Sequence, residues 1–407
     1  MITPITSGPK FHWFGYYDKR QFDYSSSRVL SMEVDFEHRS PKADDQITIG
    51  MIDLKQDNKW TTLGSTSAWN WQQGCMLQWL PGETSEVIWN VRTETGYGSK
   101  IMDVDSLETR FLPEPIYALS NDGKWAVSTD FRRINDMRPG YGYAGIDDPN
   151  YDVFAPKDVG IWKIDLLTGE KELIFSLWDA QEMSDISNSD ITKQWFNHLL
   201  ISPDDSRISF LHRRRIDYST KFVSSGSRQS YGLSTQMFTI DPHGKSPYLL
   251  DDSGSTTHYI WRDNKTILTW AKDGFYLFND QSDGREQIGE NVMIKDGHCT
   301  YLADKRWVLN DTYPDNDRLQ HVYLFDTLSN KRIPLADLYS PNEYTAEWRC
   351  DTHPRSSPDG KKVIVDSPHG LNGRQQYLID LDEVDSEPPV LRPSTRGVNS
   401  LKSRRII

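Results

Sequence analysis

His198-Leu-Leu-Ile-Ser-Pro-Asp-Asp-Ser-Arg-Ile-Ser-Phe210 and His353-Pro-Arg-Ser-Ser-Pro-Asp-Gly-Lys-Lys-Val-Ile-Val365 share one plan: a histidine, a Pro-Asp turn five residues later, then an apolar run. Proline presets φ at such a turn, and Gly or Asp tolerates its dihedrals, so each stretch predicts a β-hairpin. Two more histidines hold the same address, His258 before Asp263-Asn264 and His298 before Ala303-Asp304. The chain has only 10 His in 407 residues. Four at one repeat position point to a shared centre.

Looser copies of the hairpin fill the remaining chain: His12-Trp-Phe-Gly-Tyr-Tyr-Asp18 before Arg28-Val-Leu-Ser-Met32, Met76-Leu-Gln-Trp-Leu-Pro-Gly82 before Val87-Ile-Trp89, and Ile116-Tyr-Ala-Leu-Ser-Asn-Asp-Gly123 before Trp125-Ala-Val127. A second signature, an apolar strand ending in Asp, follows each unit, as in Ile49-Gly-Met-Ile-Asp53, Ile161-Trp-Lys-Ile-Asp165 and Val322-Tyr-Leu-Phe-Asp326. Seven first halves and seven second halves, at a period of about 40 to 50 residues, predict an all-β, seven-bladed β-propeller with four-stranded antiparallel blades. The competing arrangement, a β-sandwich of irregular hairpins, leaves the recurring turn unexplained. In a propeller the strand opening each hairpin is innermost, so the histidines are expected to ring the mouth of the central channel.

Residues 1–383 read as one propeller domain, because such rings grow by adding blades rather than by enlarging one core. Residues 384–407 read as a C-terminal tail or a ring-closing strand, and Ile2-Thr-Pro-Ile-Thr6 is the rival for closing the ring. The chain is 36 % apolar, with no run long enough to span a bilayer. Its start lacks a charged segment followed by an apolar core, which predicts a cytoplasmic protein, or a periplasmic or secreted one whose leader was removed. Three cysteines, Cys75, Cys299 and Cys350, cannot all pair, and none forms a CxxC. They read as buried thiols in a reducing compartment. A net charge of −13 argues against nucleic acid and anionic membranes as partners. A monomer is expected.

Two interruptions of the blade rhythm carry the basic clusters. One runs from Arg132-Arg133 through Arg138 to about Lys157, the other from Arg213-Arg214-Arg215 through roughly 216–233. Loops of this length in a compact fold tend to be functional, and on the channel face they would wall a groove. Aromatic usage is high, with Trp 14 and Tyr 19, and Trp13, Tyr16, Tyr17, Trp69, Trp71, Trp195, Trp261 and Trp348 all neighbour expected channel positions. Planar rings around a polar funnel stack on sugar faces, which makes a carbohydrate the expected ligand. His12, Arg138, Arg213, Arg215, Trp71 and Trp261 are the expected substrate contacts.

Converging imidazoles with Asp296 and Asp351 nearby can hold a divalent metal through nitrogen and oxygen, or one of them can act as a general base near neutral pH. The stretch Thr257-His-Tyr-Ile-Trp-Arg-Asp-Asn264 resembles the His-x-x-Trp-x-x-Asp-Gly segment of oligogalacturonate lyases, which are seven-bladed propellers. Asp296-Gly-His-Cys299 and Asp351-Thr-His-Pro354 resemble the two blades that supply their manganese ligands, and Asn197-His-Leu-Leu-Ile-Ser-Pro203 follows their preceding blade. The resemblance runs from about Trp195 to Asp366. It implies His258 as base and His298, His353 and Asp351 as ligands of a divalent ion, manganese or calcium, with that ion or an arginine as the cation on a uronate carboxylate. His198, Tyr17 or Tyr143 would then donate the proton to the leaving group.

The chain departs from that pattern. Trp348-Arg-Cys-Asp351-Thr-His353 lacks the family's Gln and has Asp351 in place of one His, and the family's arginine falls at about Gln236. His12-Trp-Phe-Gly-Tyr-Tyr-Asp-Lys19 resembles instead the ulvan lyases and rhamnose-glucuronate lyases. Together the likenesses imply a lyase that cleaves a uronate-containing polysaccharide or oligosaccharide by β-elimination. The alternatives are a non-catalytic propeller that binds glycan or protein, and a glycoside hydrolase, which would need two carboxylates about 5 to 10 Å apart, with Asp18, Asp130, Asp296, Asp311 and Asp351 as the candidates.

Overall fold

In the computed structural model, which describes residues 2–184, 192–215, 233–383 and 390–391, seven antiparallel sheets follow one another in chain order. They are the blades of a β-propeller, each of four strands running from the channel outwards. The innermost strands are Phe11–Trp13, Gln78–Trp79, Ala118–Leu119, Gln194–Ile201, Tyr259–Trp261, Thr300–Tyr301 and Arg355–Ser356, for blades 1 to 7. The Pro-Asp turns close the first hairpin of their blades as predicted: Leu200↔Ser209 and Ile201↔Ile208 flank one, Arg355↔Ile364 and Ser356↔Val363 the other.

The ring closes with the N-terminal segment. Ile2–Pro4 pairs antiparallel with the Gln375–Asp380 strand, in the register Ile2↔Ile379, and becomes the outermost strand of blade 7. The short strand Val390–Leu391 instead adds in parallel to the outer edge of blade 6, against Asp337 and Leu338. Joining the chain's beginning to its last blade makes separation of the ends cost a whole blade interface, since no blade buries both faces alone. No helix among the described residues is long and apolar enough to cross a membrane.

Apolar residues alternate along the strands and interlock between blades. Trp13, Trp69 and Trp71 meet at ring-centroid distances of 5.0 to 5.5 Å between blades 1 and 2. Trp261 lies against blade 4 and donates its indole N–H to Ser209 Oγ at 2.9 Å. An indole that buries its body and still satisfies its N–H suits these wedge-shaped contacts.

The first interruption is a packed unit. Asp130 caps the helix Phe131–Met137, accepting from the N–H groups of Arg132 and Arg133. The side chain of Arg133 is 1 % exposed and pairs with Asp148 at 3.0 Å. It also donates to the carbonyls of Asn150, Val153, Phe154 and Gln194. Arg132 pairs with Asp130 at 2.7 Å. These two arginines therefore pin the insertion to itself and to blade 4 rather than present charge to a ligand. Most of the second interruption, residues 216–232, lies outside the described residues.

Blade 1 departs from the regular plan at its inner strand. Trp13 pairs with Met32, yet the next pairing along the chain is Phe22 with Val29. Residues 14–21 therefore face only Leu30 and Ser31, and the surplus loops into the channel. Gly15 allows the departure: at φ +99° a side chain would be strained, and a Cβ there would lie 2.8 Å from the Gln73 backbone.

Candidate active site and metal centre

The excursion 14–21 carries Tyr16 and Tyr17 among the four histidines. Ring centroids of Tyr16 lie 5.1 Å from His198, 6.2 Å from His298 and 5.2 Å from His353. Those of Tyr17 lie 5.7 Å from His198, 6.1 Å from His258 and 5.4 Å from His298. His298 itself is 4.4 Å from His258 and 4.2 Å from His353. The repeated histidine address is thus one buried cluster on the channel axis.

Backbone geometry aims these rings inwards. His198 has φ +53° at a register shift between Asn197 and Leu200, and His353 has φ +40° just before its strand. A left-handed residue without a glycine's freedom is costly, and such strain concentrates at functional sites. Gly297 lets the chain before His298 pass the blade's second strand, because a Cβ there would lie 1.9 Å from the Asp311 carbonyl oxygen.

Carboxylates hold two of the rings. His258 Nδ1 meets Asp296 at 3.0 Å, and His298 Nδ1 meets both oxygens of Asp311, at 2.9 and 3.0 Å. Asp311 also accepts the backbone N–H groups of His298 and His353 and the Thr352 hydroxyl. A carboxylate only accepts, so each Nδ1 carries the proton.

Electrostatics divide the cluster. Burial lowers the His298 pKa, but the charge and hydrogen bonds of Asp311, with Asp351 and Asp296, outweigh it, and the net shift is upward. His353 goes well below its ordinary value, by burial first and then by the charges of His298, Arg355 and Arg349. His198 also goes well down, through burial and the neighbouring His258 and Lys19. His353 is therefore a neutral imidazole, and its Nε2 is buried with no hydrogen-bond partner among the described residues.

Asp351 Oδ2 lies 4.0 Å from Nε2 of both His298 and His353. The three ligand atoms sit within 4.8 Å of one another, all buried. Two imidazole nitrogens and one carboxylate oxygen, with an orphaned Nε2 and Asp311 orienting the His298 ring, fit a divalent cation of the nitrogen-and-oxygen class.

Tyr17 Oη donates to the Tyr259 carbonyl and accepts the Tyr259 backbone N–H, both at 3.0 Å, and lies 3.2 Å from His198 Nε2. The other expected residues fall elsewhere. Tyr143 is packed between blades 2 and 3, stacked 4.3 Å from Phe131 and bonded to Asn90. His12 turns aside to Gln375 and Glu33, at 2.9 and 3.2 Å. Trp71 and Trp261 are buried in blade packing and offer no open ring face. Arg213 and Arg215 belong to the second strand of blade 4, one strand out from the channel. Arg138 lies over the Tyr141 ring at 4.0 Å.

Three further residues complete the surroundings, of which the sequence offered Asp311 only as one of several candidate carboxylates. Asp311 is the hub just described. Tyr313, half-buried, has its ring 6.2 Å from His258 and 5.6 Å from His298. Arg349 donates from Nε to Asp351 at 2.8 Å. Only the adjacency of Arg349 to Asp351 was visible in the sequence.

No family profile matches the chain, and no curated protein matches it in sequence. Solved structures do resemble it. An oligogalacturonate lyase from Vibrio parahaemolyticus has a TM-score of 0.62 at 16 % identity, covering 94 % of each chain. An oligogalacturonate lyase in complex with manganese gives 0.62 and 16 %, covering 94 % of this chain and 93 % of that one. The β-propeller domain of the Trilobed protease from Pyrococcus furiosus gives 0.51 and 11 %, covering 93 % and 100 %. At these identities the shared property is the seven-bladed propeller, a fold that hosts lyases and peptidase domains alike.

Proposed function

We propose that this protein is a carbohydrate-active lyase that cleaves a uronate-containing oligosaccharide or polysaccharide by β-elimination at the buried end of the channel. The observation that carries the reading is the placement of a carboxylate-backed base, His258 with Asp296, against the ligand-ready group His298, Asp351 and His353. β-Elimination needs both: a base for the C5 proton and positive charge near the C6 carboxylate to stabilise the enolate.

The roles follow from the contacts. His258 Nε2 takes the C5 proton, the C5–H electron pair forms the C4–C5 double bond, and the C4–O4 bond breaks. The leaving oxygen takes a proton from the Tyr17 and His198 pair, joined at 3.2 Å. Asp296 keeps the proton on His258 Nδ1, so that Nε2 is the basic atom. His298, His353 and Asp351 would hold a divalent cation, which when bound neutralises carboxylate charge. The likeness to an oligogalacturonate lyase in complex with manganese supports this choice of reaction class.

The test is a panel of uronate oligosaccharides scanned for the ultraviolet absorbance of the unsaturated product, with and without chelator. Absorbance that rises with wild-type protein and vanishes in His258→Ala supports the lyase. Binding without any unsaturated product would replace it with a glycan-binding propeller.

A further inference from the structure

One anchored cation borders the buried ligand group and has no part in the roles above. Arg349 donates from Nε to Asp351 Oδ2 at 2.8 Å, from Nη2 to the Tyr141 hydroxyl at 2.6 Å and from Nη1 to the Ala346 carbonyl at 3.3 Å. Its side chain is 22 % exposed, whereas that of Asp351 is 2 % exposed. Arg349 is therefore the more exposed partner of a pair whose carboxylate belongs to the ligand group.

Arginine has five N–H donors, and three are engaged among the described residues. The two that remain are both on the Nη atoms, the donors a carboxylate uses in bidentate pairing. The guanidinium carbon lies 5.9 Å from the Tyr313 ring centroid, and that ring also borders His258 and His298. The Tyr313 ring thus links Arg349 to the base and to the ligand group.

We propose that Arg349 is the carboxylate clamp of this site: it binds the C6 carboxylate of the uronate residue and so presents the adjacent C5–H to His258. The clamp rests on the lyase reading for its consequence, but its binding role can be measured apart from turnover. Asp351, Tyr141 and Ala346 fix the guanidinium before substrate arrives, so little side-chain entropy is lost on binding. Arg349 changes no bonds in the reaction and stays charged throughout.

The experiment uses the full chain carrying His258→Ala, which stops turnover, and measures calorimetric binding of an oligogalacturonate and a glucuronate oligosaccharide beside their carboxyl-reduced, neutral counterparts. The free acid is expected to bind at least 10-fold tighter than the neutral sugar. Adding Arg349→Gln should collapse that preference to within about 3-fold, and Arg349→Lys should restore part of it. A purely structural Arg349 would weaken acid and neutral sugar together and leave the ratio intact, which overturns the clamp. Equal binding of acid and neutral sugar before Arg349 is changed also overturns it. Mn2+ titration of Arg349→Gln separates the remaining case: affinity unchanged or tighter supports the clamp, whereas lost Mn2+ binding reassigns Arg349 to shaping Asp351. Failure of the lyase reading is seen elsewhere, as absence of unsaturated product from the otherwise unmodified protein.

Discussion

Asp311 grips His298 twice, accepting its backbone N–H at 2.7 Å and its ring Nδ1–H at 2.9 Å. The ring is therefore fixed in tautomer and in direction before anything binds. Replacing the carboxylate with an amide removes the charge and permits the wrong tautomer. Asp311→Asn is expected to weaken Mn2+ binding by about 10- to 100-fold, measured by calorimetric titration. An unchanged affinity would separate Asp311 from the metal group.

The pair of His258 and Asp296, at 3.0 Å, predicts a graded series. His258→Ala should remove about 10²- to 10⁴-fold of kcat, the usual contribution of a general base. Asp296→Asn should lower kcat by less and leave KM nearly unchanged, since Asp296 acts through the imidazole. Steady-state rates of unsaturated-product formation test both, and a rise in KM alone would recast Asp296 as a substrate contact.

Gly297 is a stability hinge for the site. A Cβ 1.9 Å from the Asp311 carbonyl oxygen cannot be accommodated without moving backbone. Gly297→Ala should cost about 3 kcal/mol or more, read as a lowered denaturation midpoint, with Mn2+ affinity lost in parallel. A wild-type midpoint would show that the two strands part easily.

Arg133, 1 % exposed, holds Asp148, three carbonyls of the insertion and the Gln194 carbonyl of blade 4. Arg133→Ala strips Asp148 of one of its two cations, leaving Lys193 at 2.9 Å, and removes the guanidinium's bonds to those carbonyls, at a cost of about 1 to 3 kcal/mol. Proteolysis should then nick the protein first within residues 145–157. Cleavage that starts elsewhere would argue that the insertion is held by other contacts.

His321 gives a pH dependence away from the site. Its hydrogen bond to Asp337 at 2.6 Å, partly opposed by burial and helped by Asp315, raises its pKa above 6.5. A raised folded-state pKa stabilises fully below the unfolded value and fades as pH rises through the folded one. The side chain is 26 % exposed, so the contribution stays at or below about 1 kcal/mol. His321→Gln should therefore lose more thermal stability relative to wild type at about pH 5.5 than at about pH 9. A deficit independent of pH would contradict this.

The turn residues made the blades legible, because Pro203-Asp204 and Pro358-Asp359 encode a local backbone shape that needs no partner. The histidine address was legible for the same reason: a fixed offset from the turn fixes a position on the innermost strand. Side-chain direction was not. His12 occupies a comparable place in sequence, yet it points to Gln375, a residue 363 positions away. Trp71, Trp261 and Tyr143 neighbour channel positions but fill blade interfaces, since nearness along the chain does not say which face a residue takes. Tyr17 reached the cluster only through the eight-for-two pairing of blade 1, a register change without a sequence signature. Arg349 escaped notice, and Asp311 stood only among candidate carboxylates, because their importance lies in contacts, such as Arg349 with Tyr141, that connect distant blades.

Tyr16 and Tyr17, 4 % and 2 % exposed, make the ring a cup rather than a pipe. A linear polymer cannot thread through such a vessel, so a chain longer than the cup must enter end-first or lay a bend against the rim. Under the proposed reading, a product leaves by the opening through which its substrate entered, and exit competes with entry.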